Sequence, residues 1–321
     1  MFERRELKRA LAVVRQAMPV TPQLSWPLLG RRVGAEVWVK HENHTPTGAF
    51  KVRGGLVYVE RCRRERPQVP GLISATRGNH GQSLAFAGQR HSLPVTILVP
   101  HGNSAEKNAA MRAFGAELVE HGEDFQAARE EAGRRATASG LEFVPAFHPD
   151  LVCGVATYAL ELLTAVREID TLYVPIGQGS GICGCIRARD ILGLGTEIVG
   201  VQSAAAPAYA LSFAAGEVVT TETSDTQADG MATRVPDAEA LAIIRAGVSR
   251  VVQVTDDEIA AAVRAYWTDT HNLAEGAGAA PLAALLQERD RHRHRRVALV
   301  LSGGNIDLDL FQSWVLGAPA A

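Results

Sequence analysis

The sequence predicts an α/β protein built on twisted, mainly parallel sheets flanked by helices. Three observations carry this expectation. Short apolar runs alternate with helical patterns along nearly the whole 321-residue chain. Most of these runs are apolar throughout, as in strands covered on both faces. Several lead through a glycine turn into a helix start, as a parallel β–α connection requires.

In chain order, residues 3–18 read as an amphipathic helix ended before Pro19, and "EVWVK" (36–40) as a strand. "GAFKVRGGLVYVERCRRE" reads as a helix start and body. "GLISAT" (71–76) is a strand, "RGNHG" a turn and "QSLAFAGQRH" a helix. "VTILVP" (95–100) is a strand, followed by a helix around 104–114. "ELVEHG" is a strand, "DFQAAREEAGRRATASG" a helix ending at Gly140, and "LEFVPA" a strand. A helix follows over 154–166. The strands "TLYVPI", "EIVGVQ", "RVVQV" and "VALVLS" complete the pattern, with helices at 256–267 and 279–290.

Hydrophobic residues make up 46% of the chain, enough for a sizeable core, and the formal net charge is −2. That balance argues against nucleic-acid and membrane-surface partners. Cys62, Cys153, Cys183 and Cys185 form no C-x-x-C pair, and the last two are too close for an ordinary disulfide. A reducing, cytoplasmic setting is expected. The opening "MFERRELKRALAVV" is charged and has no long apolar stretch, so neither a signal peptide nor a membrane span is expected. The run "RDRHRHRR" (289–296) reads as a solvated helix end. Alternate His and Arg also suit phosphate or metal, but no acidic or cysteine spacing supports a metal there.

"VPIGQGSGICG" (174–184) contains G-x-G-x-x-G at Gly179, Gly181 and Gly184, between a strand and a helix. Amides at a helix start make an anion site. A dinucleotide would further need an acid at the end of the next strand, where Gln202 stands. A different phosphate would need a different partner, and "KHENHTPTGAFKVRGG" (40–55) offers Lys51 near a helix start. The positive dipole end there favours the neutral amine of Schiff-base chemistry.

"HENHTPTGAFKVRGG" resembles the lysine motif of the pyridoxal-phosphate enzymes of the tryptophan synthase β-chain fold (fold type II). The nearest branch is that of threonine dehydratase and serine racemase, with its pattern E-x-x-x-P-x-x-S-F-K-x-R-G. "SATRGNHGQSLAFAG" resembles their S-x-G-N-H loop, and "VPIGQGSGICG" their glycine-rich phosphate loop. "ADGMATRVP", "AEGAGAAPLAAL" and "LSGGN" resemble three further segments in the family order, so the similarity runs from about residue 19 to 310.

The resemblance implies a two-domain fold, with 72–147 inserted into a larger domain made of 1–71 and 148–321, and pyridoxal phosphate in the cleft. It implies that Lys51 binds the cofactor as a Schiff base and takes the substrate Cα proton. Phe50, Asn79, Gly177, Gln178, Gly179, Ser180, Gly181 and Ser302 would complete the cofactor site. Ser302 would face the pyridine nitrogen, and Asn79 the phenolic oxygen. Thr76, Arg77, Gly78, Asn79 and His80 would receive the substrate carboxylate, with His80 stabilising the loop instead of catalysing.

Three departures limit the likeness. Gln178 and Ser180 interrupt the glycines. Arg77 stands where serine racemase has a serine acid–base; arginine has no accessible neutral form, so two-base racemisation is expected to be lost. The racemase branch's divalent-cation acids fall at Gln202 and Ala208, leaving Glu275 as a candidate for a monovalent cation only. The chain also ends soon after the last motif, so isoleucine feedback through a regulatory domain is not expected.

The resemblance therefore implies a homodimeric ammonia-lyase. It would eliminate water from an L-β-hydroxy amino acid of the threonine or serine type, giving a 2-oxo acid and ammonia. A specialised dehydratase is the alternative, acting on a bulkier, phenylserine-like substrate or in hydroxyectoine breakdown. A nicotinamide oxidoreductase and a non-catalytic binding protein are the distant ones.

Overall fold

The computed structural model describes residues 1–317. Two compact units are formed, one by Met1–Pro19 with Lys51–Thr157 and one by Val20–Phe50 with the chain from Tyr158 onward. Along the chain come α1 (Arg4–Arg15), β1 (Gln23–Ser25), α2 (Pro27–Val33), β2 (Glu36–His41), α3 (Lys51–Glu65), β3 (Leu72–Ala75) and α4 (Asn79–Arg90). Next are β4 (Val95–Val99), α5 (Ala105–Ala113), β5 (Glu117–Glu120), α6 (Phe125–Ser139), β6 (Glu142–Phe143) and α7 (Pro149–Ala165). Then follow β7 (Thr171–Pro175), α8 (Ser180–Leu192), β8 (Glu197–Ser203), α9 (Ala208–Ala215), α10 (Ala238–Gly247) and β9 (Arg250–Val254). The last elements are α11 (Asp256–Thr270), α12 (Gly276–Gln287), β10 (Arg296–Leu301) and α13 (Leu308–Leu316).

The first unit holds a four-stranded parallel sheet in the order β5-β4-β3-β6. All four strands lie within residues 72–147. Ala128, Ala132 and Ala136 form a stripe of small residues on α6, which lets that helix lie close on Ile73, Ala75 and Leu98. Ser104 caps α5 by accepting from the Lys107 N–H, and Asp124 caps α6 through Ala127.

The second unit holds a six-stranded sheet in the order β1-β2-β10-β7-β8-β9. Only β1 is antiparallel to its neighbour. The core strands are apolar, and α12 is buried around most of its circumference, so the strand side chains of Val39, Leu299 and Val199 pack among Ala and Leu. Leu301 pairs with His41 and Leu299 with Tyr173, so β2, β10 and β7 finish side by side. The segments that leave these carboxyl ends, 42–50, 302–305 and 176–179, are where an open parallel sheet places its ligands.

Several boundaries differ from the sequence reading: the helices expected at 256–267 and 279–290 run over Asp256–Thr270 and Gly276–Gln287. α4 begins at Asn79, inside the stretch read as a turn, because Gly78 serves as its N-cap. α7 begins at Pro149 instead of 154, since proline suits a first helical position. The strand expected over 141–146 pairs only at Glu142–Phe143.

Candidate active site

In the first unit, Lys51 opens α3 and its carbonyl accepts from the Ser83 hydroxyl of α4 at 2.6 Å. That bond fixes the start of α3 against α4. β3 runs into the loop 76–78, where the buried Thr76 hydroxyl accepts from the Gly78 N–H at 3.0 Å. The next residue, Asn79, starts α4, so the loop presents a helix N-terminus. His80 is buried in this first turn. Burial, reinforced by the charge of Lys51, pulls its pKa down from 6.5 to about 3. It is therefore a neutral imidazole at physiological pH, which suits a loop-stabilising residue. Its Nε2 is buried without a partner. Arg77 is exposed, and its carbonyl accepts from Asn103 Nδ2 at 3.2 Å.

In the second unit, the strap before Lys51 is stitched to the turn after β10. Ala49 and Gly303 form an antiparallel bridge, Phe50 N–H donates to the Ser302 carbonyl at 2.9 Å, and Gly304 N–H to Gly48 at 2.9 Å. Ser302 is buried. The Phe50 ring meets Tyr158 edge-on, with centroids 6.0 Å apart. Tyr158 OH donates to the Gly181 carbonyl at 3.2 Å. Phe50, Ser302 and the 177–181 loop are thus brought together.

That loop is a cradle shaped by absent side chains. A Cβ on Gly177 would stand 2.1 Å from the Gly230 carbonyl oxygen. Gly179 has φ +95°, and a Cβ there would stand 2.7 Å from the Ala240 methyl. Gly179 is the N-cap of α8 and offers no side-chain cap. The first N–H groups of α8 are therefore left for a ligand, and a phosphate fits them. Gln178 donates from Nε2 to Thr233 Oγ1 at 3.4 Å, and its carbonyl accepts from Tyr209 OH at 3.1 Å.

Gln202 is fully buried and its Oε1 accepts from the Ala210 N–H at 2.8 Å, so it holds the first turn of α9. Glu275 is buried and stands as N-cap of α12, its N–H donating to the Gly303 carbonyl at 3.0 Å. Among the described residues, no group of three or more His, Cys, Asp or Glu could hold a metal ion. Burial pushes the Cys153 and Cys185 thiols up to about 12, so neither offers a thiolate.

Sequence reasoning missed Tyr158, Tyr209 and Asp256. Asp256 Oδ1 accepts from Thr226 Oγ1 at 2.6 Å and Oδ2 from the Gln227 N–H at 2.8 Å. It thereby anchors the segment that carries Gly230. All three lie on helices that pattern alone marks as ordinary, and no local signal distinguishes them.

A family model described as pyridoxal-phosphate dependent enzyme matches residues 14–303. An L-threonine ammonia-lyase of Geobacter sulfurreducens is 38% identical over 278 residues, covering 86% of this chain and 69% of that protein. An L-threo-3-hydroxyaspartate ammonia-lyase of Saccharomyces cerevisiae is 31% identical, covering 95% and 93%. The structure of the processed form of threonine deaminase isoform 2 from Solanum lycopersicum superposes with a TM-score of 0.90 at 27% identity, covering 99% and 95%.

Proposed function

Because this chain belongs to the family of pyridoxal-phosphate-dependent enzymes, we propose that it removes water from an L-β-hydroxy amino acid of the threonine or serine type, giving a 2-oxo acid and ammonia. It is a pyridoxal-phosphate-dependent lyase, and the family match removes the nicotinamide alternative. The observation that carries the reading is the uncapped, glycine-shaped start of α8, which fits a phosphate.

When bound, the cofactor supplies an electron sink for negative charge at the substrate Cα. The N–H groups of 177–181 would hold its phosphate. Phe50 lines the Gly181 side of that loop, and Ser302 would stand at the pyridine nitrogen. A hydroxyl there would not hold that nitrogen protonated, so the sink would be mild and would favour expulsion of the β-hydroxyl. Asn79 would donate to the phenolic oxygen. Lys51 would hold the cofactor's aldehyde carbon, and its amine would be the base for the Cα proton. The N–H groups of Thr76–His80 receive the substrate carboxylate at the head of α4.

Arg77 favours a second reading of the substrate. An exposed guanidinium on the carboxylate loop suits an anionic side chain. The yeast relative bears the name of such an activity, on threo-3-hydroxyaspartate. Release of 2-oxo acid by the holoenzyme from threonine, serine, phenylserine and threo-3-hydroxyaspartate separates these cases. Product from none of them sinks the dehydratase reading.

We assign the chain to the cytoplasm as a homodimer. Its four cysteines are free and buried, and among the described residues no helix is long and apolar enough to cross a membrane. Trp267 of α11 and Leu308 of α13 are 43% and 56% exposed on two helices that pack together. Light scattering on the eluting protein tests the dimer, and a monomer mass refutes it.

A further inference from the structure

Tyr158 sets a buried hydroxyl against the glycine loop, and none of the cofactor chemistry uses it. It lies on α7 and is 1% exposed. Its hydroxyl has two neighbours, the Gly181 carbonyl oxygen at 3.2 Å and Cys185 Sγ at 3.2 Å. A phenol carries one proton, and a carbonyl can only accept. The proton therefore points at Gly181. Burial pushes the Cys185 pKa up to about 12 and keeps it a thiol, so its S–H can donate to the phenolic oxygen. A directed chain results, from Cys185 S–H through Tyr158 O–H to the Gly181 carbonyl.

Gly181 is the second residue of α8, and helix geometry already gives its carbonyl the N–H four residues on. Tyr158 adds a second donor to a carbonyl that lacks none. That carbonyl shares a peptide with the N–H of Ile182. The N–H groups of Ser180, Gly181 and Ile182 find no acceptor among the described residues, whereas Cys183 N–H is bonded to Gly179 at 3.0 Å. Ile182 N–H is thus open to an anion at the head of the helix. A hydrogen bond accepted at one end of a peptide polarises it and strengthens the donor at the other, by roughly 10–30%. The ring is held as well, edge-on to Phe50, whose own Cε2 would stand 3.6 Å from a methyl on Gly181.

We propose, on the reading of 177–181 as a phosphate cradle, that Tyr158 is a positioning residue for the cofactor phosphate. Its hydroxyl fixes the Gly181–Ile182 peptide with the carbonyl turned back into the protein and the N–H towards the anion, and makes that N–H a better donor. It acts through the peptide and not by contact with the cofactor.

Tyr158→Phe removes the hydroxyl and keeps the ring. Tyr173→Phe is the control, because Tyr173 is also fully buried and its hydroxyl bonds Glu288 at 2.5 Å and His292 at 2.6 Å, away from the cradle. Titrating each apoenzyme with pyridoxal phosphate and following the visible band gives the affinities. The phosphorus-31 resonance of each holoenzyme reports the hydrogen bonding of the bound phosphate. Tyr158→Phe should weaken affinity about three- to tenfold and move the resonance, and Tyr173→Phe should do neither. Unchanged affinity in Tyr158→Phe overturns the proposal. A loss of affinity with an unmoved resonance means that Tyr158 only packs, and overturns it too, as does an equal effect in Tyr173→Phe. Wild-type protein that gains no visible band with pyridoxal phosphate sinks the cradle itself and the proposal with it, so the two failures are told apart by whether the wild type or only the variant behaves against expectation.

Discussion

Gly177→Ala is the smallest change that tests the cradle. The added methyl would stand 2.1 Å from the Gly230 carbonyl oxygen, where ordinary contact begins at 3.4 Å. Two backbone segments must therefore part by about 1 Å. Gly230 yields little, because Met231 N–H bonds Ala228 at 2.8 Å and Asp256 anchors residues 226 and 227. The displacement falls on 176–179, whose amides we assign to the phosphate. Overpacking of this kind costs about 1–3 kcal/mol, which as cofactor affinity is roughly 5- to 150-fold. Gly181→Ala is the internal control. Its methyl would meet nothing nearer than Tyr158 OH at 3.5 Å, and affinity should change less than about threefold. Titrating the apoenzyme with pyridoxal phosphate and following the visible band gives both affinities. Thermal unfolding of the apoenzyme shows how much of the strain is absorbed by the fold. Unchanged affinity and unchanged apo stability in Gly177→Ala would refute the reasoning, as would an equal loss in Gly181→Ala.

Lys51→Ala should abolish the visible band that borohydride reduces and lower turnover at least about a thousandfold; a retained band would move the Schiff base elsewhere. Arg77→Ala should lower kcat/KM about ten- to a hundredfold for threo-3-hydroxyaspartate and little for threonine, whereas equal losses for both would place Arg77 in the loop's architecture. Lys40 and Glu161 form a buried ion pair at 2.7 Å, 0% and 3% exposed. Lys40→Met removes the ammonium partner of that buried carboxylate and should cost about 3–5 kcal/mol, read from the urea midpoint; a loss below about 1 kcal/mol would contradict it. His80 and His41 are held near 3 and 4 against an ordinary 6.5, chiefly by burial. Between those values the unfolded chain binds protons that the folded chain refuses. Stability should thus be full above pH 6.5 and fall as pH drops, by up to about 1.4 kcal/mol per unit for each histidine. Unfolding free energies at pH 7, 6 and 5 check the slope, and His80→Asn should reduce it.

The central strands were legible because burial on both faces writes them as unbroken apolar runs, such as "VALVLS" for β10. β1 was not, for its three residues are mostly exposed and hold strand form only because β2 offers an edge, with Gln23 opposite Lys40. α4 shows a different failure: "RGNHG" has turn composition, yet Gly78 caps a helix whose first turn contains Asn79 and His80. At the site, the residue types were readable from motifs, while their joining was not. Phe50 meets Ser302 through backbone bonds that span some 250 positions, and no local pattern carries such a distance. Tyr158 reaches Gly181 in the same hidden way.

The interrupted glycines of "GQGSG" follow from the same geometry. A phosphate reads N–H groups, so a side chain is excluded only where its Cβ has no room or its backbone turns left-handed. Gly177 meets the first condition at Gly230, and Gly179 meets the second at φ +95°. Gln178 meets neither, and its side chain extends to Thr233 while its carbonyl is tied to Tyr209. Tyr209 also accepts from the Asp237 N–H at 3.0 Å, just before α10, whose Ala240 crowds Gly179. Ser180 is already the first residue of α8, where any L-residue fits and a hydroxyl adds a donor beside the open N–H groups. Glycine is therefore required at alternate positions, and the intervening residues are free to brace the loop from behind. The departure that set this chain apart from four consecutive glycines leaves the amide face of the cradle intact.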